Sequence, residues 1–528
     1  MSNPNHLGKG GQTIKESLKK LLGLVIFGQV FLVGAVLENK EYTGETPVIS
    51  GSKSSYTMKS AGVIESDKPP KSVLVQKPKP LPPPESTVLG IMQHEENLVN
   101  LIDFDFSKPI SMRRENHEGK LLRLRITPGL AAFSEGTTSE LCKIFQKFSH
   151  HRAPNYSELI FFGFGAVGDP LLATSPTGLC RLTIPFRNGE SVFPLLSGEE
   201  IEKGLFYYQD RPSTKSGPSD VFILRLEPFT NSLAIFPVLA NEGICQKEIL
   251  SSMGRRYKAV AGINGAYFTN RGDPIGTLII NRRLISSPLY NRSVFGIANY
   301  GNYFFGNPDF SGNLTAKDIS LDINAVNQPR HDDQIVIYTP EFARSTLTSE
   351  DGLELVLVKE RVVGIHQSDA LIPPDGVVVS AGGKKARTLS KVKLGDLVKL
   401  DYQVTPPWNN ILHAVCGGPK LIVNGEIEVN GKQEKFDPGL VNGRHPRSAI
   451  ALTASGDLLL VVIDGRSSRS SGMTLHELAA YLKKLGAKEA INLDGGGSSS
   501  LFIHGKTVNR PSDGKERPIS NGILITQK

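Results

Sequence analysis

The sequence predicts an α+β fold with a mixed, largely antiparallel β-sheet core and few helices. Three observations carry that prediction. Gly and Pro are abundant, 53 and 34 in 528 residues, which favours turns over a helical bundle. From about residue 204 onward, short apolar β-prone runs alternate with turn residues. Against them, one late stretch reads as a well-capped amphipathic helix.

Composition sets outer limits. The apolar fraction is 39%, too low for a multi-span membrane protein and enough to exclude a fully disordered chain. Lys plus Arg outnumber Asp plus Glu by 60 to 52, a net charge of +8. The basic residues are interspersed with acids, so no stripe for nucleic acid is expected, while a membrane-facing or anionic-polymer role stays compatible. Cys142, Cys180, Cys245 and Cys416 form no CxxC pair, which argues against a thiolate zinc site. Two disulfides and four buried thiols both fit that count.

The N-terminus carries a topology signal. Lys9, Lys15, Lys19 and Lys20 precede an apolar run from Leu21 to Leu37, and Glu38 and Glu41 follow it. At about 17 residues the run suits a signal peptide or a short membrane anchor. The positive flank places the rest of the chain outside the cytoplasm. Residues 39–90 read as a flexible Pro/Lys/Ser-rich linker, with Lys77 to Pro84 favouring extended polyproline II. Residues 91–203 form an N-terminal region of unknown role. Within it Leu121 to Ile126 and Leu159 to Phe164 read as strands, Ser139 to Phe148 as a short helix, and His150-His151 as a solvated loop pair.

Residues 204–528 form the main domain. Val221 to Leu226 and Leu233 to Val238 read as strands flanking a turn at 229–232. Further strands are expected at Thr277–Ile280, Ile335–Tyr338, Leu353–Val358, Arg361–Ile365, Gly376–Ser380 and Leu397–Tyr402. Asn424-Gly425 marks a tight hairpin between Lys420–Val423 and Glu426–Val429. Thr474-Leu-His-Glu477 is a capping box. Leu475, Leu478, Ala479, Leu482 and Leu485 form the apolar face behind it, and Gly486 the stop.

Four stretches bear chemistry. Asn264-Gly-Ala-Tyr-Phe268 ends a β-prone run; Gly265 would permit a turn that aims Asn264 outward. His445-Pro-Arg-Ser448 opens a hairpin that returns to Asp464-Gly-Arg466. A two-residue loop at Ser455-Gly456 would set Arg447 opposite Asp464, as a site or as a structural salt bridge. Asn492-Leu-Asp494 leads into Gly495-Gly-Gly-Ser-Ser-Ser500, where successive backbone N–H groups could converge on an anion. Asn509 to Pro518 could add Arg517 to an anion site or be a polar loop.

Together these stretches resemble the phosphodiester glycosidase family. The resemblance rests on Asn264–Phe268, Gly417-Gly-Pro-Lys-Leu-Ile-Val-Asn-Gly425, Pro446-Arg-Ser-Ala449, Asp464-Gly-Arg466, Gly472-Met-Thr-Leu475, Asn492–Ser499 and Arg517-Pro518, in the family's order across residues 204–527. Ser448 stands where the family more often has Thr. The resemblance implies hydrolysis of a sugar-1-phosphodiester at the anomeric carbon. A phosphodiester leaves as a stable anion, so little acid assistance is needed. On this reading Asp494, or else Asp464, is the catalytic carboxylate, and Arg447 and Arg466 hold the phosphate with the Gly495, Gly496 and Gly497 amides, Ser498 and Arg517. Asn264 and Asn492 read sugar hydroxyls, and Tyr267 or Phe268 packs on the sugar. No cofactor is demanded, although a divalent ion near Asp464 or Asp494 stays open. The expected partner is a carbohydrate or sugar-phosphate of the cell envelope or an exopolysaccharide, with no nucleic acid, and a membrane through residues 21–37 if that run is uncleaved. A non-catalytic binder of anionic glycans and a structural envelope protein remain the competing readings.

Overall fold

A computed structural model describes residues 86–528, apart from short internal stretches of which 187–195 is the longest. The apolar run 21–37 and the linker up to residue 85 lie outside the described residues. Among the described residues no helix is long and apolar enough to cross a membrane.

The architecture is strand-rich with few helices, and nearly every pairing is antiparallel. An eight-stranded sheet organises the main domain. Its order is Glu426–Ile427, Lys420–Val423, Ala487–Asn492, Arg447–Thr453, Leu458–Ile463, Val221–Leu226, Leu205–Asp210 and Gly198–Glu202. Its central strands are buried at every position because both faces are covered. Ile450, Leu452, Leu458, Leu460 and Val462 enter one core. Ala449, Ala451, Leu459, Val461 and Ile463 point the other way, against the helix Leu475–Lys484.

That helix forms as its sequence predicts. Thr474 accepts the Glu477 N–H while the Glu477 carboxylate accepts the Thr474 N–H, and Leu475, Leu478, Ala479 and Leu482 are buried. A five-stranded sheet shares the first core. In it Ala261–Asn264 lies between Asn521–Gln527 and Leu501–Ile503. Two strand ends thereby meet: Asn264 closes one sheet and Asn492 a strand of the other.

The hairpin register departs from the expectation. Arg447 pairs with Ile463 and Ser448 with Val462, so Arg447 is not opposite Asp464. Thr453 N–H bonds to the Asp457 carbonyl, leaving a three-residue loop in which Gly456 takes φ +87°. The single extra loop residue shifts every pair by one, which reverses the face each side chain presents.

The N-terminal region has its own core. Two four-stranded sheets run Val88–Glu96, Val99–Phe106, Cys180–Phe186, Leu171–Thr174 and Ser111–Glu118, Leu121–Thr127, Ser157–Phe162, Lys147–Arg152. They bury Phe104, Phe106, Phe145, Phe161 and Phe186 together. Several expectations are corrected here. Ser86 bridges Leu130 and a strand opens at Val88, inside the stretch read as linker. His150 and His151 lie on a strand, not a loop, and His150 shares a hydrogen bond with Ser157. The helix expected at Ser139–Phe148 falls partly outside the described residues, and its last two residues are strand. The boundary at 203/204 cuts a hairpin, since Gly198–Glu202 pairs with Leu205–Asp210 in the main sheet. Cys180, Cys245 and Cys416 are free thiols.

Candidate functional site

The two strand ends are tied through Asn264. Its side chain is fully buried, its Nδ2 donates to the Asp494 carbonyl at 2.6 Å, and its Oδ1 accepts from Ser448 Oγ and Ser500 N–H. The Asp494 N–H in turn donates to the Gly265 carbonyl at 3.1 Å. Asn264 therefore fixes the backbone beneath Asp494 and does not line the cleft, where the expectation set it on a sugar hydroxyl. Ser448 earns its hydroxyl at the same knot. Gly265 is required by proximity, not by a special turn: a Cβ there would lie 2.0 Å from Asn521 Oδ1.

Asn492 is likewise turned inward. It is buried, and its Nδ2 donates to the Tyr267 hydroxyl at 2.6 Å and to the Gly418 and Leu493 carbonyls. It positions the tyrosine, keeps its own Oδ1 buried without a partner, and is not among the residues that line the cleft, where the expectation set it on a sugar hydroxyl. Burial beside Asp494 holds the Tyr267 phenol well above its usual range.

Above this knot opens a cleft of about 630 Å³. Asp494, Tyr267, Phe268 and Arg517 line it, as the sequence suggested, together with Arg292, Lys247, Lys435, Phe436 and Asp437, which it did not. Burial pushes the Asp494 carboxyl up to about 6, against the Gly495 N–H that bonds Oδ1 and the Arg517 charge. Asp437 is committed elsewhere, capping a short helix by accepting the Gly439 N–H at 2.7 Å. The lining thus carries four cationic side chains against two carboxylates, which suits an anionic ligand.

Arg292 stands out in that lining. Its guanidinium carbon sits 4.2 Å from the centre of the Phe436 ring and 5.4 Å from that of Tyr267. Its Nε and Nη1 are buried with no hydrogen-bond partner. Two such orphaned donors cost roughly 1–3 kcal/mol each, and the ring contact returns about 0.5–2 kcal/mol. Its place is fixed by its neighbour. Ser293 gives both its N–H and its hydroxyl to the buried Glu434 at 2.8 Å, which clamps this loop to the loop bearing Lys435 and Phe436.

The hairpin end is organised differently. Arg447 is 2% exposed and donates to the carbonyls of Met473, Leu440 and Gly443 at 2.9, 2.8 and 2.6 Å. Burial pushes its pKa down to about 10. It holds the 437–443 wall of the cleft from behind and is not among the residues that line the cleft, where the expectation set it on the phosphate. Asp464 is buried too, accepting from Asn509 Nδ2 and the Arg510 N–H, and it does not line the cleft. Burial raises its pKa as well. Exposed Arg466 bonds the His445 ring at 3.0 Å and lies beside Gly496. The glycine turn is no free anion nest, because Gly495 N–H is bonded to Asp494 Oδ1 and Gly496 N–H to the Pro446 carbonyl. Gly497 and Ser498 are buried. Arg517 reaches the cleft while paired with Asp513 at 2.8 Å. Among the described residues no group of three or more His, Cys, Asp or Glu is placed to hold a metal.

Nothing in the sequence around Arg292, Lys247 or Lys435 sets them apart. They lie on loops whose convergence depends on pairings far away in the chain.

Residues 352–526 match the family model described as phosphodiester glycosidase, which includes Asp494 and Arg517 and begins after Tyr267 and Arg292. A stretch of 152 residues is 30% identical to the mouse (Mus musculus) N-acetylglucosamine-1-phosphodiester alpha-N-acetylglucosaminidase, covering 26% of this chain and 29% of that protein. A stretch of 86 residues is 41% identical to the SPbeta prophage-derived uncharacterized protein YomE of Bacillus subtilis (strain 168), covering 16% of this chain and 13% of that one. The chain thus spans less than a third of the length of either relative. Two solved structures share the fold. A hypothetical protein from Synechocystis superposes with TM-score 0.59 at 22% identity, over 84% of this chain and 81% of its own. A protein of Burkholderia pseudomallei K96243, provisionally described as exported, superposes with TM-score 0.53 at 19% identity, over 80% and 97%.

Proposed function

We propose that the protein is a hydrolase that cleaves a sugar-1-phosphodiester at the anomeric carbon. The physiological role we assign is release of sugar from a phosphate-linked envelope or exopolysaccharide glycan outside the cytoplasm. One observation carries this reading: a carboxylate, Asp494, stands in a cationic cleft on a backbone locked by Asn264 and Gly265. The family match and the name of the mouse relative point to the same bond, with N-acetylglucosamine as the first sugar to try. Export rests on the Lys-flanked apolar run 21–37.

The chemistry follows from the lining. The bond between the anomeric carbon and the phosphate oxygen breaks, and the electron pair leaves with the phosphate. The positive charge that develops at the sugar is met by the Asp494 carboxylate, either directly as nucleophile or as the base that takes a proton from the attacking water. The cationic side chains stabilise the departing phosphate, so a second carboxyl acting as acid is dispensable. Tyr267 and Phe268 offer ring surface to the sugar.

The test is release of free N-acetylglucosamine from UDP-N-acetylglucosamine or another N-acetylglucosamine-1-phosphate diester, beside Asp494→Asn. The variant should lose about 10²–10⁴-fold or more in kcat while folding normally. Equal turnover by the two proteins would sink the assignment.

A further inference from the structure

We propose that Arg292 is the residue that binds the substrate phosphate, through guanidinium donors that the protein itself leaves without acceptors. The inference rests on the glycosidase reading above and adds to it the ligand that no motif supplied.

The other cationic side chains around the cleft and hairpin have contacts of their own, Lys247 with the Asn270 carbonyl and Lys435 with the Tyr290 ring. Arg447 gives its Nε and Nη2 to three carbonyls, Arg466 is bonded to His445, and Arg517 is paired with Asp513. Arg292 faces the same cleft as Asp494 with Nε and Nη1 unbonded. Its guanidinium carbon lies 4.2 Å from the Phe436 ring centre, a contact that uses no N–H and leaves the unbonded donors for an oxyanion. The Glu434–Ser293 clamp fixes the loops that carry ring and guanidinium before any ligand arrives. A phosphodiester placed with its sugar toward Tyr267 and Asp494 would bring its non-bridging oxygens to these donors. The contact strengthens as charge moves onto the leaving phosphate, so it acts on the transition state more than on the ground state.

The experiment uses the full chain and two variants, Arg292→Met and Arg292→Lys. Methionine keeps an apolar stem against Phe436, and lysine restores a point charge without the planar fork. Hydrolysis of UDP-N-acetylglucosamine should fall about 10²–10³-fold in kcat/KM for Arg292→Met, with partial rescue by Arg292→Lys. Competitive inhibition by inorganic phosphate should weaken at least about tenfold. The melting temperature of Arg292→Met should be unchanged or higher, since two orphaned donors are gone.

A binding arm separates the two ideas. Calorimetry of UDP-N-acetylglucosamine with Asp494→Asn, with and without Arg292→Met, reads phosphate recognition without turnover. Arg292-dependent binding with no sugar released by the wild type would overturn the glycosidase reading and leave the phosphate site standing. Turnover by the wild type with Arg292→Met equal in kcat/KM and in affinity would overturn the Arg292 proposal alone. Absence of binding to inorganic phosphate and to UDP-N-acetylglucosamine would overturn the phosphate site itself.

Discussion

Two charged regions border one another in this molecule, the hairpin end and the cleft, and they are built on opposite terms. At the hairpin end, Arg447 and Asp464 are buried and each of their partners is an internal backbone or amide group. In the cleft, Asp494 is desolvated with its carboxyl raised to about 6, and Arg292 keeps donors without acceptors. Buried charge whose hydrogen bonds go to the protein's own backbone supports the fold. Buried charge left unsatisfied costs stability, and that cost is most simply returned by a ligand. Motif reading cannot make this distinction, because both regions present the same residue types.

The comparison can be broken by substitutions that should act on stability in one region and on chemistry in the other. The largest effect on folding is expected from Arg447→Met. It strips the donor from three carbonyls and should cost about 3 kcal/mol or more in denaturant unfolding. A loss of turnover with unfolding unchanged would instead return Arg447 to the phosphate.

Asp494→Asn should go the other way. The folded carboxyl, at about 6, lies above its ordinary value of 3.8, so the native state holds the proton more tightly than the unfolded chain. Stability therefore falls as pH rises between those values, and the cost is complete above pH 6. Asparagine removes it, so the variant should gain up to about 3 kcal/mol at pH 8 and nothing below the unfolded value. Melting curves at the two pH values check the sign.

Asp464→Ala should lose about 1–3 kcal/mol by orphaning Asn509 Nδ2 and the Arg510 N–H, with KM for the diester unchanged. An unaltered melting point with kcat lost would reassign the catalytic carboxylate. The finest test is the pH profile. A nucleophile or base must be ionised, so kcat/KM should rise about tenfold per pH unit below about 6 and flatten above it, tracking the shifted Asp494. A profile that falls through pH 6 would make Asp494 an acid.

A second contrast separates the N-terminal region from the main domain. Its strands at Leu121 and Leu159 were readable from β-prone runs, and its aromatic core follows from them. Its junction was not, because Gly198–Glu202 carries little apolar signal and is recruited into the main sheet by pairing alone. Exposed edge strands of this kind are set by the neighbour they find, not by their own composition.

The sequence by itself determined the strand-rich fold class, the capped helix Leu475–Lys484, the hairpin at Asn424-Gly425, and the position of Asp494 at a strand end before a glycine turn. These depend on local periodicity, capping and turn chemistry, which neighbouring residues specify. Tertiary structure alone decided the one-residue register that parts Arg447 from Asp464, the inward turn of Asn264 and Asn492, and the arrival of Arg292 in the same cleft as Asp494. Each of those depends on contacts between segments distant in the chain. Whether a charge there is saturated or left free is a property of the packed surroundings, which residue type and spacing do not encode.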